Sequence, residues 1–382
     1  MDKDKLKETL IQIRRELHEN AEVGFNLHNT LRIIREALSR HEIECKRLGR
    51  AGLVADIGKG EVRVLLRADT DALSIREKSG LSFSAKNGNM HACGHDLHTV
   101  MLIGSALLLK EDNLPYAVRL VFQPAEEELS GASDMISAGL LRDISPEYAF
   151  AIHVGVGKTL PVGTVVLPPT GDAAPSAAYF KISFAGESTH GARPEDGKDA
   201  VLAICDERIR LSGIIGKYLK DGYPRLTVGK IRGGESAGVI GDYSELSGSF
   251  RAFDSETFEA LFDEIKASVE AVGKIYSVNG TLEITGQAPS LRIDKGALSY
   301  AKKALSGILS DDAIITPPNM GGGSEDFAHI SRHVPSAMLV VGAGDGGGHT
   351  LHNPSVIFDE ECILLGARLY AVLGRSLAEG EE

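Results

Sequence analysis

Leu6, Leu10, Ile13 and Leu17 recur at intervals of three and four in an otherwise charged segment, so the chain opens with an amphipathic helix ending near His18. A second helix is predicted over 29–38. The period then changes. Short apolar runs of strand character stand at 53–57, 62–66, 118–122 and 149–154, separated by helical segments such as 99–109. Strands apolar at nearly every position are expected where both faces are covered. The alternation therefore predicts an α/β domain on a mostly parallel sheet with helices on both faces.

The proline- and glycine-rich stretch at 167–176 reads as a crossover between domains. Beyond it the pattern predicts a strand at 179–184, a helix at 199–218, strands at 226–231 and 245–252, a helix at 255–272 and a strand at 281–285. That βαββαβ order is the split pattern of a ferredoxin-like sandwich. Asp254 and Ser255 suit the N-cap of its second helix. A helix at 297–309 and an apolar run at 337–341 return to the style of the first part, so an α+β domain at 174–288 interrupts a discontinuous one at 1–173 and 289–382.

Composition narrows the function classes. With 382 residues, 43% hydrophobic and 25% charged, the chain has room for two ordinary globular domains. A formal charge of -12 argues against nucleic acid, whose backbone calls for concentrated Lys and Arg. The N-terminus is polar and no apolar run is long enough to cross a bilayer, which predicts a cytoplasmic protein that does not enter membranes. Cys45, Cys93, Cys205 and Cys362 are too scattered for a disulfide framework. Three read as small buried apolar residues, whereas Cys93 stands among His91, His95 and His98.

Ligands in open α/β sheets gather beyond the carboxyl ends of strands, where the candidates for chemistry lie. Asp69 and Asp71 follow one strand, Glu126 and Glu127 a second and His153 closes a third; His349 and His352 lie in a glycine-rich loop after a fourth. Two adjacent carboxylates are costly unless they share a cation or a proton. Singly, such residues are usually caps or solvated faces, but recurrence at four strand ends favours a site. Imidazole, thiolate and carboxylate together suit zinc, manganese, cobalt or nickel and not an all-oxygen calcium or magnesium site. Five ligand positions suit two divalent ions, an arrangement common in amide hydrolysis.

Six segments carry a family resemblance: Arg14-Arg-Glu-Leu-His18, Arg67-Ala-Asp-Thr-Asp-Ala-Leu73, Met90-His-Ala-Cys-Gly-His-Asp-Leu-His-Thr99, Phe122-Gln-Pro-Ala-Glu-Glu127, His190-Gly-Ala-Arg-Pro194 and Ser324-Glu-Asp-Phe327. In order and spacing they resemble the N-acyl-amino-acid amidohydrolases, dinuclear metallopeptidases that include hippurate hydrolases, bacterial N-acetyl-amino-acid deacetylases and plant auxin-conjugate hydrolases. The resemblance implies that Cys93, His95, Glu127, His153 and His352 hold two metal ions. It implies that Glu126 is the general base toward a metal-bound water, and that Asp71, or alternatively Asp69, orients a ligand. His190 matches a lid histidine that contacts the scissile carbonyl from a neighbouring subunit, and Arg251 an arginine that holds the substrate carboxylate. The inserted domain then serves as lid and dimerisation element of a homodimer.

Two departures bear on the substrate. The family often has Asn-Val-Ile-Pro-Asp in the lid, where this chain has Gly238-Val-Ile-Gly-Asp242, and His after the lid proline, where this chain has Glu195. The reading is a metal-dependent amidohydrolase acting on small N-acyl amino acids or related conjugates. Its rivals are a dipeptidase or aminopeptidase-like enzyme on the same site and a non-catalytic ligand-binding relative.

Overall fold

The computed structural model describes residues 2–220, 223–318 and 321–377. Residues 1, 221, 222, 319, 320 and 378–382, which belong to the predicted domain ranges, lie outside the described residues. The chain divides into two compact units. One comprises 1–173, 292–321 and 326–382, the other 174–291 with 322–325.

In chain order the first unit opens with α1 (Lys3–Glu19), α2 (His28–Ser39), β1 (Lys46–Leu48), β2 (Gly52–Gly58), β3 (Val62–Asp69), α3 (His95–Lys110), β4 (Ala117–Gln123), α4 (Gly131–Ser137), β5 (Tyr148–Gly155) and β6 (Val165–Val166). A short β7 (Gly171–Ala174) precedes the second unit, which holds β8 (Ser176–Ala185), β9 (Thr189–His190), α5 (Ala200–Tyr218), β10 (Arg225–Gly233), β11 (Val239–Ile240), β12 (Tyr243–Ala252), α6 (Ser255–Tyr276) and β13 (Asn279–Ala288). The chain then runs through β14 (Leu291–Ile293), α7 (Lys295–Leu305), β15 (Ile314–Ile315), α8 (Ala328–Ser331), β16 (Ser336–Gly342) and α9 (Cys362–Arg375).

The first unit is built on an eight-stranded sheet in the order β1-β2-β4-β3-β5-β16-β6-β15. Its centre, β4-β3-β5-β16, is parallel, and antiparallel pairs flank it at β1-β2, β2-β4 and β16-β6. The central strands carry apolar residues at successive positions because both faces are covered: Val64, Leu65 and Leu66, like Leu120, Val121 and Phe122, are wholly buried. Helix α3 is buried along nearly its whole length, and Leu97, Val100, Met101, Leu102 and Ile103 each contribute about 1.5–3 kcal/mol by leaving water. Gly104 lets neighbours come close, since a Cβ there would stand 2.7 Å from both Ala367 Cβ and Leu10 Cδ1.

Periodicity places the start of this helix at residue 99, but it begins at His95. Its first turn is polar in sequence yet buried, because tertiary partners satisfy His95, Asp96 and His98. Helix α7 ends at Leu305 and not at 309: the amides of Ile308 and Leu309 fold back onto the Leu305 carbonyl. The cysteine expectation also needs correction. Cys362 is buried, but Cys45 is half-buried and Cys205 is exposed on α5, on the outer face that also carries Leu202 and Ile209.

The second unit is an antiparallel sheet, β10-β12-β8-β13, with α5 and α6 on one face. Strand order and connectivity are those of the ferredoxin-like sandwich. Phe180, Phe184, Leu246 and Phe250 from the sheet meet Ile204, Leu211, Leu261 and Ile265 from the helices in one core. Asp199 and Asp254 cap the helices by accepting the amides of Leu202 and Thr257, and Ser255 is the first helical residue.

Candidate metal centre

The glycine of Cys93-Gly94-His95 has a left-handed backbone, φ +85°, and stands as the N-cap of α3. A Cβ there would strike Val154 Cγ2, so the turn demands glycine for conformation and for space. The turn sets Cys93 and His95 on either side of the helix start, where β5 delivers His153. Cys93 Sγ lies 3.5 Å from His153 Nε2 and 3.3 Å from His352 Nε2. His352 has φ +64°, a strained conformation for a non-glycine residue, and its Nε2 is 3.4 Å from Glu127 Oε1. His95 Nε2 stands 3.9 Å from Glu127 Oε1 and 4.0 Å from Glu126 Oε2.

These atoms converge more than they pair. Ligand atoms of Cys93, His95 and His153 lie within 4.8 Å of one another, as do those of Cys93, Glu127 and His352, and of His95, Glu126 and Glu127. Among the described residues, the buried His95 Nε2 and Glu127 Oε1 find no hydrogen-bond partner. Orphaned buried polar atoms cost about 1–3 kcal/mol each, so a cluster of them facing one point calls for a further group. Charge agrees. The hydrogen bond with Cys93 and the adjacent Glu127 carboxylate push His352 up to about 10, the behaviour of an imidazole in an anion-rich pocket. Burial raises the Cys93 thiol, which needs a cation beside it to ionise. The donor set fits one or two divalent transition-metal ions.

The surrounding partners divide between the two aspartates. Asp71 serves the ligands with its backbone and its side chain: its carbonyl accepts from His95 Nδ1 at 2.9 Å, and its carboxylate accepts the amides of Glu126 at 3.0 Å and Glu127 at 3.3 Å. Burial and the nearby Glu127 push Asp71 up to about 6, against the pull of His95 and the Glu126 amide. Asp69 turns toward the interior, accepting from His98 Nδ1 at 2.5 Å and Arg67 Nη1 at 2.9 Å. Burial alone would raise Asp69, but His95, His98 and Arg67 outweigh it and hold the group well below the usual carboxylate range. Arg67 also binds Gln123 and Asp326, and Asp326 fixes the amide of Ala132.

A second buried cluster lies behind the first turn of α3. Asp96 accepts from Arg14 Nε at 2.7 Å and His18 Nδ1 at 2.8 Å, while His18 Nε2 meets Glu77 at 3.1 Å. Burial opposes a charged His18, yet Asp96 and Glu77 raise its pKa. Arg14 and His18 bound one of the family-like segments, but the sequence assigns them no role. Their signal was faint: polar residues on the inner stripe of an amphipathic helix.

Of the remaining candidates, His349 sits exposed on its loop and joins none of these donor groups. His91 is buried, with neither ring nitrogen bonded among the described residues. In the second unit, His190 is exposed on β9 and accepts the Ala192 amide at Nδ1, and Arg251 on β12 donates to the Gly322 carbonyl at 3.0 Å. Gly238 accepts the amide of Gly191 at 2.8 Å and so extends the antiparallel β9–β11 pair, while Glu195 lies exposed in a short 3-10 turn. His98 and Tyr370, absent from the candidate site, take up positions between the ends of β3 and β5.

A thiolate, imidazoles and paired carboxylates at the carboxyl ends of a parallel sheet are the equipment of a metal-dependent amidohydrolase, and the chain is such an enzyme. It belongs to peptidase family M20/M25/M40, whose model matches residues 65–375. It is 34% identical to the N-acetyl-L-cysteine deacetylase of Bacillus subtilis (strain 168), over 99% of this chain and 90% of the relative. It is 31% identical to IAA-amino acid hydrolase ILR1-like 4 of Arabidopsis thaliana, over 95% and 84% of the two chains. Among solved structures, a putative aminohydrolase from methicillin-resistant Staphylococcus aureus matches with a TM-score of 0.80 at 29% identity, covering 97% of this chain and 96% of that one. A Bacillus subtilis protein described as a dinuclear metal-binding peptidase of the M20 family matches with a TM-score of 0.75 at 29% identity, covering 98% and 99%.

Proposed function

We propose that the chain hydrolyses the amide of small N-acyl amino acids or related conjugates, releasing a carboxylate and an amino acid. The observation that carries this reading is the unequal placement of the tandem glutamates. Glu127 shares a donor group with Cys93 and His352, whereas Glu126 does not, although one Asp71 carboxylate anchors the amides of both. Cys93, His95, Glu127, His153 and His352 would hold two divalent ions, of manganese, zinc, cobalt or nickel. Bound there, the ions supply Lewis acidity toward the scissile carbonyl and lower the pKa of a water.

The chain's own groups do the rest. Glu126 takes a proton from the attacking water and returns it to the leaving nitrogen. Asp71 fixes the direction of both glutamates and the tautomer of His95. His190, from a neighbouring copy, donates toward the developing oxyanion. Arg251 keeps N–H groups beyond the one given to Gly322, and its fork suits the carboxylate of the substrate. The names of the deacetylase and conjugate-hydrolase relatives agree with this substrate class.

A homodimer through the second unit follows from a role for His190 across subunits, and the exposed Leu202 and Ile209 on one stripe of α5 support it. Four free cysteines suit a cytoplasmic setting, and no helix among the described residues is long and apolar enough to cross a membrane. The test is a panel of N-acetyl amino acids, N-benzoylglycine and unblocked dipeptides, assayed after reconstitution with each metal. Acyl substrates are expected to turn over and dipeptides not. Glu126→Gln should keep its metal by elemental analysis and lose about 10²–10⁴-fold in kcat. Full activity in that variant would overturn the assignment of the base.

A further inference from the structure

Strand β5 is bonded to β3 only from Tyr148 to Ala151, whereas its other edge stays paired with β16 as far as Gly155. Successive amides of a strand point to opposite neighbours. Beyond Ala151 those of Ile152 and Val154 therefore point to the side that β3 has left, and bare buried amides would be costly. Two side chains from two helices take the place of the missing rungs. The Ile152 amide donates to Tyr370 Oη of α9 at 2.8 Å, and that hydroxyl donates onward to the Arg67 carbonyl of β3 at 2.6 Å. The Val154 amide donates to His98 Nε2 of α3 at 2.8 Å, and His98 Nδ1 donates to Asp69 at the end of β3.

His98 is thereby fixed as the Nδ1–H tautomer. Its Nε2 lone pair is used by Val154, so it is no metal donor, although it lies in a donor-like group with Asp69 and His95. Its ring packs 4.5 Å from the ring of His153, which stands on the splayed end of β5 and reaches Cys93. Continued strand pairing here would close the gap between β3 and β5 that His98 and Tyr370 bridge.

We propose that His98 is a positioning residue of the metal centre: together with Tyr370 it wedges the ends of β3 and β5 apart and aims His153 at the point shared with Cys93 and His95. The inference rests on the reading that Cys93, His95 and His153 form one of two metal-binding triads. Loss of the wedge weakens that triad and spares the one formed by Cys93, Glu127 and His352.

The test is cobalt titration of the chelator-stripped full-length protein, followed by elemental analysis and by the visible spectrum. His153→Asn should retain one tight equivalent of two. His98→Leu should reproduce that pattern, with affinity for the second equivalent lowered about 10–100-fold, the usual effect of removing a group that orients a ligand. His98→Gln, whose carbonyl can still accept the Val154 amide, should recover most of it. The double variant His98→Leu/His153→Asn should bind no worse than His153→Asn, because both changes act through one ligand. Tyr370→Phe, which removes one hydroxyl and keeps the packing, should weaken the same equivalent if His98→Leu fails to fold. Two tight equivalents in His98→Leu would overturn the inference, as would equal loss of both equivalents or failure of Gln to rescue. Two tight equivalents in His153→Asn would overturn the underlying triad.

Discussion

Glu207→Gln is expected to stabilise the second unit at pH 8 and to do little at pH 4. Glu207 lies on α5 inside the core of that unit, wholly shielded from solvent. Ser268 Oγ donates to its Oε2 at 2.8 Å, and its Oε1 has no partner among the described residues. Burial pushes its pKa from 4.5 up to about 7, against the pull of Ser268 and Arg210. The folded state thus holds its proton more tightly than the unfolded chain. Stability is unaffected by this group below pH 4.5, falls as pH rises toward 7, and stays lowered above. At 1.36 kcal/mol per pH unit the full difference amounts to about 3 kcal/mol, and partial hydration of the charged form reduces it to about 1–3 kcal/mol. The amide of Gln has nearly the same shape and no charge to bury. The assay is urea unfolding of both proteins across this pH range, so that every other titrating group cancels in the difference. A Gln variant equally shifted at both ends of the range, or less stable than the parent at pH 8, would refute the reasoning.

Other expectations follow from the first unit. Arg14→Met leaves Asp96 buried with His18 as its one remaining cationic partner beside the Leu97 amide, so a loss of about 3–5 kcal/mol is expected in chemical denaturation; a change below about 1 kcal/mol would show that the cluster is not held by its charges. Gly94→Ala forces a left-handed backbone on alanine, at about 1–2 kcal/mol, and drives its Cβ into Val154. Reduced thermal stability together with weaker cobalt binding should result, and wild-type cobalt affinity would mean that the Cys93–His95 turn tolerates a different backbone. Cys93→Ser should lower the metal content measured by elemental analysis, because a hydroxyl is a poor substitute for a thiolate at a soft donor position; unchanged occupancy would make Cys93 a structural thiol.

Much of the architecture was legible before folding. Apolar runs such as 118–122, and the heptad-like recurrence from Leu6 to Leu17, report local periodicity, which survives in any compact structure. The first turn of α3 was not legible, since His95, Asp96 and His98 look like loop residues until Asp69, Asp71 and Arg14 supply their partners from elsewhere in the chain. Cys205 was misread for a related reason: residue type predicts burial on average, and only the helix face decides it.

The sequence by itself determined the chemistry available: sulfur, imidazole and carboxylate at strand ends, with a glycine where Cys93 and His95 need a turn, define a metal-dependent hydrolase and its family. Only the tertiary structure decided the division of labour. Asp69 and Asp71 are two residues apart and chemically identical, yet one faces the buried Arg67 and His98 while the other gathers His95, Glu126 and Glu127. On the Asp69 side the physical reason is the splaying of β3 from β5, while β4 stays paired with β3 to its end and so brings Glu126 and Glu127 to Asp71. Where strands part, backbone groups lose their ladder partners, and the side chains that replace them come from helices remote in sequence and adjacent only in the fold.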